Sequence, residues 1–337
     1  MGAIGTYIGG SLAANGAQVT FIEKKEFITD GAAKDIRLNL RGNEITVSNI
    51  KTISDVRQAI SGEPVDIALL AVKSNDTGSV LELLNGLEKQ FPPVLCLQNG
   101  VENEALIARK LGEENVIGGS ITSAVGRSGL GNIKLEKLRG VGIESGHPMS
   151  QTLIDWFNRS GLRAKGYESR ADMKWSKMLT NLLANATSAI LNWTPAQIYS
   201  HRLTWRIELE QIREAMQVME RMHIHLVDLP GTPVKPLIML LNRLPAGMSQ
   251  TLIGAALAKG RGAKMPSFHI DLYSGKTTSE VTYLNGAVSR FAAKVGVLSP
   301  VNNGLCQILE GMAAGEIAKE DFAGQPEKLD HWLKAQK

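Results

Sequence analysis

Short apolar runs alternate with helical patterns over the first half of the chain, and this alternation is the strongest constraint on its fold. The runs QVTFIE, DIALLAV and VLCLQN are each followed by apolar residues at helical spacing, and VIGGSITSAV continues the series. Strands that are apolar on both faces and joined by helices form a parallel sheet covered on both sides. The pattern therefore predicts an α/β domain with a doubly wound parallel sheet.

The pattern changes near residue 168. Beyond it, long helical periodicities predominate, as in MKWSKMLTNLLANATSAIL and RIELEQIREAMQVMERM, and no alternating strand pattern stands out. A chain of 337 residues is long enough for two domains. We expect residues 1–168 to form the sheet domain and residues 169–337 to form a mainly helical domain for substrate binding and dimerisation. A homodimer is expected because dimers are common among such proteins.

The chain begins MGAIGTYIGG, which matches the second half of a dinucleotide-binding glycine loop. In the full G-x-G-x-x-G loop, backbone N–H groups and a helix N-terminus meet a pyrophosphate in a Rossmann-type fold. Gly2 and Gly5 match the second and third glycines, with Ala3 and Ile4 between them. The first glycine and the strand before it are absent, so we expect Met1 to be an internal methionine of a longer reading frame.

Glu23 ends the strand QVTFIE, about 20 residues after the glycine loop, and Lys24 follows it directly. A Rossmann unit contacts the adenosine ribose at this position. Glu23 is suited to the 2′-hydroxyl of NAD, and Lys24 to the 2′-phosphate of NADP. The sequence leaves both cofactors open.

Polar residues also end the next two apolar strands. Lys73 lies in AVKSND and Asn99 lies in LQNGVEN. Ligands of doubly wound sheets collect at the carboxyl ends of the strands, which favours these residues as neighbours of a nicotinamide and its substrate. Ordinary turn chemistry is the alternative, since Asn-Gly is a strong turn signal by itself.

The first helical stretch of the second domain carries Lys177, Asn181 and Asn185 at positions i, i+4 and i+8. This spacing predicts three polar side chains along one face of a single helix. Asparagine is a poor helix former, and the surrounding residues are mostly apolar, so a polar cleft beside the helix would explain the pattern. A solvent-facing stripe is the alternative.

A second polar cluster lies in PSFHIDLYSGKTTSEVTYLNGAV. Ser267 and Asp271 are one turn apart, and Glu280 precedes a helical pattern. Helix capping is the alternative for this cluster, with Ser279 or Thr278 as the N-cap and Glu280 as a favourable first-turn carboxylate. We expect His269 to be a structural or surface histidine.

Charge distribution, the length of the apolar runs and the two cysteines argue against several classes of protein. The net charge is +4, and the 37 basic residues are interleaved with 33 acidic ones. This distribution indicates a local anion site and argues against a nucleic-acid partner. No apolar run reaches the roughly 18 residues of a membrane span and no secretory signal opens the chain, so a cytoplasmic protein without a membrane partner is expected. Cys96 and Cys306 lack metal-ligand spacing, which predicts buried thiols and no metal.

Taken together, these motifs resemble the ketopantoate reductase (2-dehydropantoate 2-reductase) family over nearly the whole length. The matching segments, in family order, are GAIG, AVK ending at Lys73, LQNG with Asn99, KMLTNLLAN, and PSF…SEVTYLNG. The resemblance implies reduction of a 2-keto acid by NADPH, most directly 2-dehydropantoate to pantoate in pantothenate biosynthesis.

The resemblance also implies roles for the residues. Lys177 is the expected proton donor, and Asn181 and Asn185 hold the polar oxygens of the substrate. Ser267 is expected to bind its carboxylate and Glu280 its hydroxyl group. The expected cofactor residues are Gly2, Ala3, Ile4, Gly5, Lys24, Lys73 and Asn99.

Two departures from the family pattern concern single residues. One extra residue separates Asp271 from Glu280, which bears on the assignment of Ser267, and Glu23 precedes Lys24, which leaves the cofactor open. The insertion LPGTPVKPLIMLLNRLPAGM, together with SEV in place of the more usual TEI, indicates a divergent branch with its own substrate. The alternatives are another hydroxyacid or opine-type dehydrogenase that uses NADPH or NADH, and a non-catalytic NADP-binding relative.

Overall fold

The computed structural model describes residues 1–28, 34–261 and 264–336. The chain forms two compact units. The first consists of Met1–Gln98, Glu102–Lys174 and Leu229–Thr232, and the second of Asn99–Val101, Trp175–Asp228 and Pro233–Lys337. The main passage from the first unit to the second thus follows Lys174, a short way beyond residue 168, where the sequence predicts the domain boundary.

The first unit contains both strands and helices. Its strands are β1 (Thr20–Ile22), β2 (Lys34–Leu40), β3 (Asn43–Ile53), β4 (Ala68–Leu70), β5 (Val94–Cys96), β6 (Val116–Ile121), β7 (Ala124–Gly129), β8 (Asn132–Lys137), β9 (Val141–Glu144) and β10 (Ala164–Tyr167). Its helices are α1 (Ala3–Ala13), α2 (Val56–Ile60), α3 (Thr77–Glu82), α4 (Asn103–Leu111) and α5 (Ser150–Arg159), and α6 (Arg170–Leu182) begins in it. Short 3-10 turns lie at Lys25–Phe27, Ser74–Asp76 and Glu113–Asn115.

The strands form two five-stranded sheets, ordered β1-β3-β2-β8-β7 and β10-β9-β6-β5-β4. Pairing is parallel between β4, β5 and β6, and also between β1 and β3, β2 and β8, and β9 and β10. The pairs β2–β3, β6–β9 and β7–β8 are antiparallel. The predicted Rossmann-type α/β class, with a parallel-rich sheet, is confirmed.

Antiparallel pairs occur beside the predicted parallel ones, and the β2–β3 pair is a hairpin. Strands β2 and β3 are joined through Arg41 and Gly42, with Leu40 opposite Asn43. Both turn residues have positive φ, 60° and 93°, as a tight hairpin turn requires. Because Arg-Gly is not one of the usual turn pairs, the sequence pattern did not reveal this hairpin.

Helix α1 packs closely on the sheet through Gly9 and Gly10. A Cβ atom at Gly9 would lie 2.7 Å from the ring of Phe21, and one at Gly10 would lie 2.9 Å from the side chain of Leu38. Side chains at these positions would force the helix away from the buried core that includes Tyr7, Phe21 and Leu38. The pair Gly9–Gly10 therefore serves packing.

The second unit is mainly helical, as predicted. Its helices after α6 are α7 (Ala186–Leu191), α8 (Pro195–Ser200), α9 (Arg202–Arg221), α10 (Val234–Arg243), α11 (Ala246–Ser249), α12 (Ala255–Arg261), α13 (Ser267–Tyr273), α14 (Asn285–Val295), α15 (Pro300–Ala314) and α16 (Pro326–Lys334). A π-helical turn lies at Gln250–Gly254, and 3-10 turns lie at Glu280–Tyr283 and Lys319–Asp321. None of the described helices combines the length and apolarity needed to cross a membrane. Cys96 and Cys306 are free and buried, as predicted.

Candidate functional site

The glycine loop opens helix α1. Gly2 is the N-cap residue in an extended conformation, and no side chain caps the first turn. A Cβ at Gly2 would meet nothing within 4 Å, whereas one at Gly5 would lie 3.8 Å from Cβ of Ala71 beside β4. An uncapped N-terminus of an eleven-residue helix presents free N–H groups and a positive dipole end. These features fit a pyrophosphate.

Glu23 and Lys24 follow β1, and their side chains differ in environment. The Glu23 carboxylate accepts the Lys24 N–H through Oε1 at 3.0 Å and contacts the Met1 amino group through Oε2. The Lys24 side chain is exposed. Lys24 is therefore available to an anionic group, while both carboxylate oxygens of Glu23 already have partners.

A buried network joins the Lys73 loop to the start of α4. Gln98 Nε2 donates to the Lys73 carbonyl at 3.3 Å and to Thr77 Oγ1 at 2.7 Å. Thr77 Oγ1 donates to Asn103 Oδ1 at 3.0 Å, and Asn103 Nδ2 donates to Ser74 Oγ at 3.0 Å. The backbone that carries Lys73 is thus fixed by side chains from two other segments.

Lys174 is an organising residue that the sequence analysis did not identify. Its Nζ lies 2.6 Å from Glu104 Oε1 and donates to the carbonyls of Gln98 and Gly119 at 2.7 and 3.1 Å. Burial lowers the pKa of Lys174 and is the largest single influence, but the charge of Glu104, its hydrogen bond to the ammonium and the other nearby interactions together outweigh burial and hold that pKa above its ordinary value. A lysine between Met173 and Trp175 in an apolar stretch was the available signal.

Lys177 and Asn181 lie one turn apart on α6, and both are half-buried. Asn181 Nδ2 donates to Asn99 Oδ1 at 3.1 Å. Asn99, which was predicted from the end of an apolar strand, thus contacts a residue predicted from helical spacing. The contact joins two of the predicted site residues in the second unit, and Lys177 lies one helical turn before Asn181.

Asn185 is placed differently from the prediction. Helix α6 ends at Leu182, and Ala184 has a left-handed conformation with φ of 51°. Asn185 is the N-cap residue of a new helix, α7, so the expectation of one continuous helical face through all three residues is wrong. The Asn185 side chain is 7% exposed, and its Oδ1 accepts the N–H of Phe268 at 3.2 Å.

This hydrogen bond brings Asn185 to the start of α13, where Ser267 is the exposed first residue. Asp271, one turn further, pairs with Lys276 at 2.6 Å. Asn185 and Ser267 are therefore joined through the backbone of α13, while Asp271 is engaged by a lysine.

Glu280 is buried at the start of the 3-10 turn Glu280–Tyr283. Ser279 Oγ accepts the Val281 N–H at 3.2 Å, which confirms the predicted N-cap. His269 Nε2 lies 2.7 Å from Asn192 Oδ1, and its ring stacks on Tyr273. Burial lowers the pKa of His269, which favours the neutral ring of a structural histidine.

Comparison with known families matches both halves of the chain. The family model described as ketopantoate reductase PanE/ApbA matches residues 1–146, and the model of the C-terminal part of the same family matches residues 171–313. Among curated relatives, a 2-dehydropantoate 2-reductase of Pyrococcus horikoshii is 26% identical over 307 residues, which cover 89% of this chain and 91% of the relative.

Solved structures agree with this fold. A ketopantoate reductase of the PanE/ApbA family from Ralstonia eutropha has a TM-score of 0.77 at 24% identity, covering 94% of this chain and 97% of that one. A D-mandelate dehydrogenase with NADH and anilino(oxo)acetate has a TM-score of 0.73 at 22% identity, with the same coverage. At these identities the likeness concerns the fold.

Proposed function

Because the chain belongs to the ketopantoate reductase family, we propose that it is an oxidoreductase that reduces a 2-keto acid with NADPH. The first candidate substrate is 2-dehydropantoate, the compound named for its curated relatives. The observation that carries the proposal is the polar group of Lys177, Asn181 and Asn99, joined by a 3.1 Å hydrogen bond between the two amides.

Lys177 is the catalytic residue of the proposal. Bound NADPH supplies a hydride to the keto carbon. Negative charge then develops on the carbonyl oxygen, where a lysine ammonium stabilises it and donates the proton. Asn181 is fixed by its hydrogen bond to Asn99, and one turn of α6 separates it from Lys177. The hydrogen bond between Asn181 and Asn99 supports a fixed position for Asn181 beside the reacting carbonyl oxygen.

The remaining substrate contacts come from the start of α13 and the turn before α14. Ser267 is exposed at the N-terminus of α13, where a hydroxyl group and a helix dipole favour a carboxylate. Asn185 fixes that terminus through Phe268. Glu280 is assigned to the hydroxyl group of the substrate, because a carboxylate accepts hydrogen bonds from alcohols.

The first unit holds most of the residues assigned to the cofactor. The N–H groups of Ala3, Ile4 and Gly5 at the uncapped start of α1 suit the pyrophosphate. Exposed Lys24 suits a 2′-phosphate. Lys73 and Asn99 are assigned to the nicotinamide side. NADPH is preferred over NADH in this proposal because the exposed Lys24 ammonium can pair with a 2′-phosphate, which NADH lacks.

A second candidate is reduction of a different 2-keto acid with NADH. It is supported by the similar fold of a D-mandelate dehydrogenase studied with NADH and by the acidic Glu23 after β1. The homodimer and the cytoplasmic location remain predictions, and sedimentation of the purified chain tests the first of them.

A substrate panel separates these candidates. NADPH and NADH oxidation is followed with 2-dehydropantoate, with a 2-keto acid that lacks the hydroxyl group, and with an aromatic 2-keto acid. The proposal expects the highest kcat/KM with 2-dehydropantoate and NADPH. Preference for an aromatic acid with NADH would favour the second candidate. Binding of NADPH without turnover of any keto acid would indicate a non-catalytic relative.

A further inference from the structure

The break between α6 and α7 determines where Asn185 lies. Ala184 adopts φ of 51° in that break, a left-handed conformation that is unfavourable for a residue other than glycine. Such a conformation persists only where neighbouring groups stabilise it. The relevant neighbour is Glu208 on α9, whose Oε2 accepts the Ala184 N–H at 2.6 Å.

Glu208 is fully buried, and its contacts concentrate on this break. Oε1 accepts from Thr187 Oγ1 at 2.6 Å, in the first turn of α7. Oε2 accepts from Gln211 Nε2 at 2.8 Å as well as from Ala184. One carboxylate therefore holds the last residues before α7 and the first turn of α7 together. A buried carboxylate requires such donors, since burial without them is costly.

Gln211 anchors Glu208 to the rest of the second unit. Its Oε1 accepts from Asn285 Nδ2 at 3.1 Å, and its carbonyl accepts from Asn302 Nδ2 at 2.9 Å. Asn285 also donates to Asn302 Oδ1 at 3.0 Å. All three amide side chains are fully buried. Glu208 is consequently linked through Gln211 to α14 and α15, which restricts its movement.

Ala184 is connected in turn to Asn185 and Ser267, which are predicted to bind the substrate. Asn185 follows Ala184 directly, and its Oδ1 accepts the Phe268 N–H next to Ser267. In an unbroken helix, Asn185 would continue the drift of the Lys177–Asn181 face. The break instead directs its side chain to the start of α13.

We propose that Glu208 is a positioning residue, which fixes Ala184 and thereby aligns Asn185 and Ser267 for the substrate. The inference deepens the proposed function and rests on it. Glu208 does not touch the substrate. It affects the reaction indirectly: it fixes the backbone at Ala184, and this in turn fixes the hydrogen bond between Asn185 and Phe268.

The test compares two isosteric variants of buried carboxylates. Glu208→Gln cannot accept all three hydrogen bonds, because the amide nitrogen only donates. Glu214→Gln is the matched control: Glu214 is on the same helix and accepts from the N–H groups of Val301 and Asn302 at 2.8 Å. It also accepts from Asn302 Nδ2 at 2.7 Å, so its link to Gln211 runs through Asn302 and not through the break. Thr187→Val is a milder second variant, which removes one donor to Glu208 and serves if Glu208→Gln fails to fold.

Kinetics with 2-dehydropantoate and NADPH give the first readout. Glu208→Gln is expected to lower kcat/KM by about tenfold to a hundredfold, mostly by raising KM, with the Kd for NADPH unchanged. Glu214→Gln is expected to keep the KM of the unaltered protein. Equal KM values in the unaltered protein, Glu208→Gln and Thr187→Val would overturn the proposal.

Amide hydrogen exchange gives a second readout that needs no activity. Glu208→Gln should accelerate exchange at Ala184 and at Phe268, while Glu214→Gln should accelerate it at Val301 and Asn302. Unchanged exchange at Phe268 in Glu208→Gln would overturn the positioning role. Absence of turnover in the unaltered protein would instead reject the proposed function. In that case, hydrogen exchange at the Phe268 amide in Glu208→Gln would still test whether Glu208 fixes the Asn185–Phe268 hydrogen bond.

Discussion

Lys174 Nζ lies 2.6 Å from Glu104 Oε1, and the two side chains are 3% and 4% exposed. The same ammonium donates to the Gln98 carbonyl, directly before Asn99. The ion pair thus connects α6, α4 and the end of β5 inside the first unit. Its charges are compensated by each other and by two backbone carbonyls.

Removing one partner of this pair should be strongly destabilising. Lys174→Met leaves the Glu104 carboxylate buried without its cation, which is expected to lower the free energy of unfolding by about 3–5 kcal/mol. The double variant Lys174→Met/Glu104→Leu should recover much of that loss because no buried charge remains. Urea unfolding of Lys174→Met, Glu104→Leu, the double variant and the unaltered protein measures the coupling, and equal losses in Lys174→Met and the double variant would contradict the account.

The close approach of α1 to the sheet predicts a penalty for a larger residue at Gly10. Gly10→Ala would bring a Cβ to 2.9 Å from Leu38 and 3.1 Å from Ile36, which is expected to cost about 1–3 kcal/mol. Gly78→Ala is the control: it lies exposed on α3 with nothing within 4 Å of the added Cβ. That change should stabilise by about 0.5–1 kcal/mol. Thermal unfolding of both variants tests the contrast, and the same sign in both would contradict it.

Much of the candidate site follows from local sequence, and the remainder depends on distant partners. Helical spacing on α6 and the ends of apolar strands were enough to select Lys177, Asn181 and Asn99, two of which are in direct contact. The predicted position of Asn185 was wrong because Ala184, where the helix breaks, is hydrogen-bonded to Glu208, which lies on another helix. Periodicity within one segment carries no information about such a partner.

The same limit applies to the fold. The α/β class was visible because strands and helices have different periods. Lys174 remained unrecognised because its role depends on Glu104 in α4 and on carbonyls of two other segments. Gly9 and Gly10 had no assigned role in the sequence analysis, and only the distances to Phe21 and Leu38 reveal their packing role.

Glu214 should make stability depend on pH. Burial raises its pKa above the ordinary value of 4.5, despite hydrogen bonds from Val301 and Asn302 that favour the charged form. The folded state therefore keeps its proton to higher pH than the unfolded state does, so this group's contribution to stability falls as pH rises above about 4.5. Urea unfolding across this range should show a smaller decline for Glu214→Gln than for the unaltered protein. Parallel curves would contradict the shift.

Lys24 should discriminate between the two cofactors. Lys24→Ala removes an exposed ammonium after β1 and is expected to raise the Kd for NADPH about tenfold or more, because hydrogen bonds to a charged phosphate are strong. The Kd for NADH should stay unchanged. Lys25→Ala, a neighbouring exposed lysine, is the control. Equal weakening of both cofactors in Lys24→Ala would favour Glu23 as the residue that contacts the ribose.

The central claim is that Lys177 supplies the proton and stabilises the charge in a keto-acid reduction. The direct test is NADPH oxidation by Lys177→Ala with 2-dehydropantoate, combined with NADPH titration of the same variant. The account predicts that kcat falls by about 10²- to 10⁴-fold while the Kd for NADPH is unchanged. A kcat equal to that of the unaltered protein would contradict it.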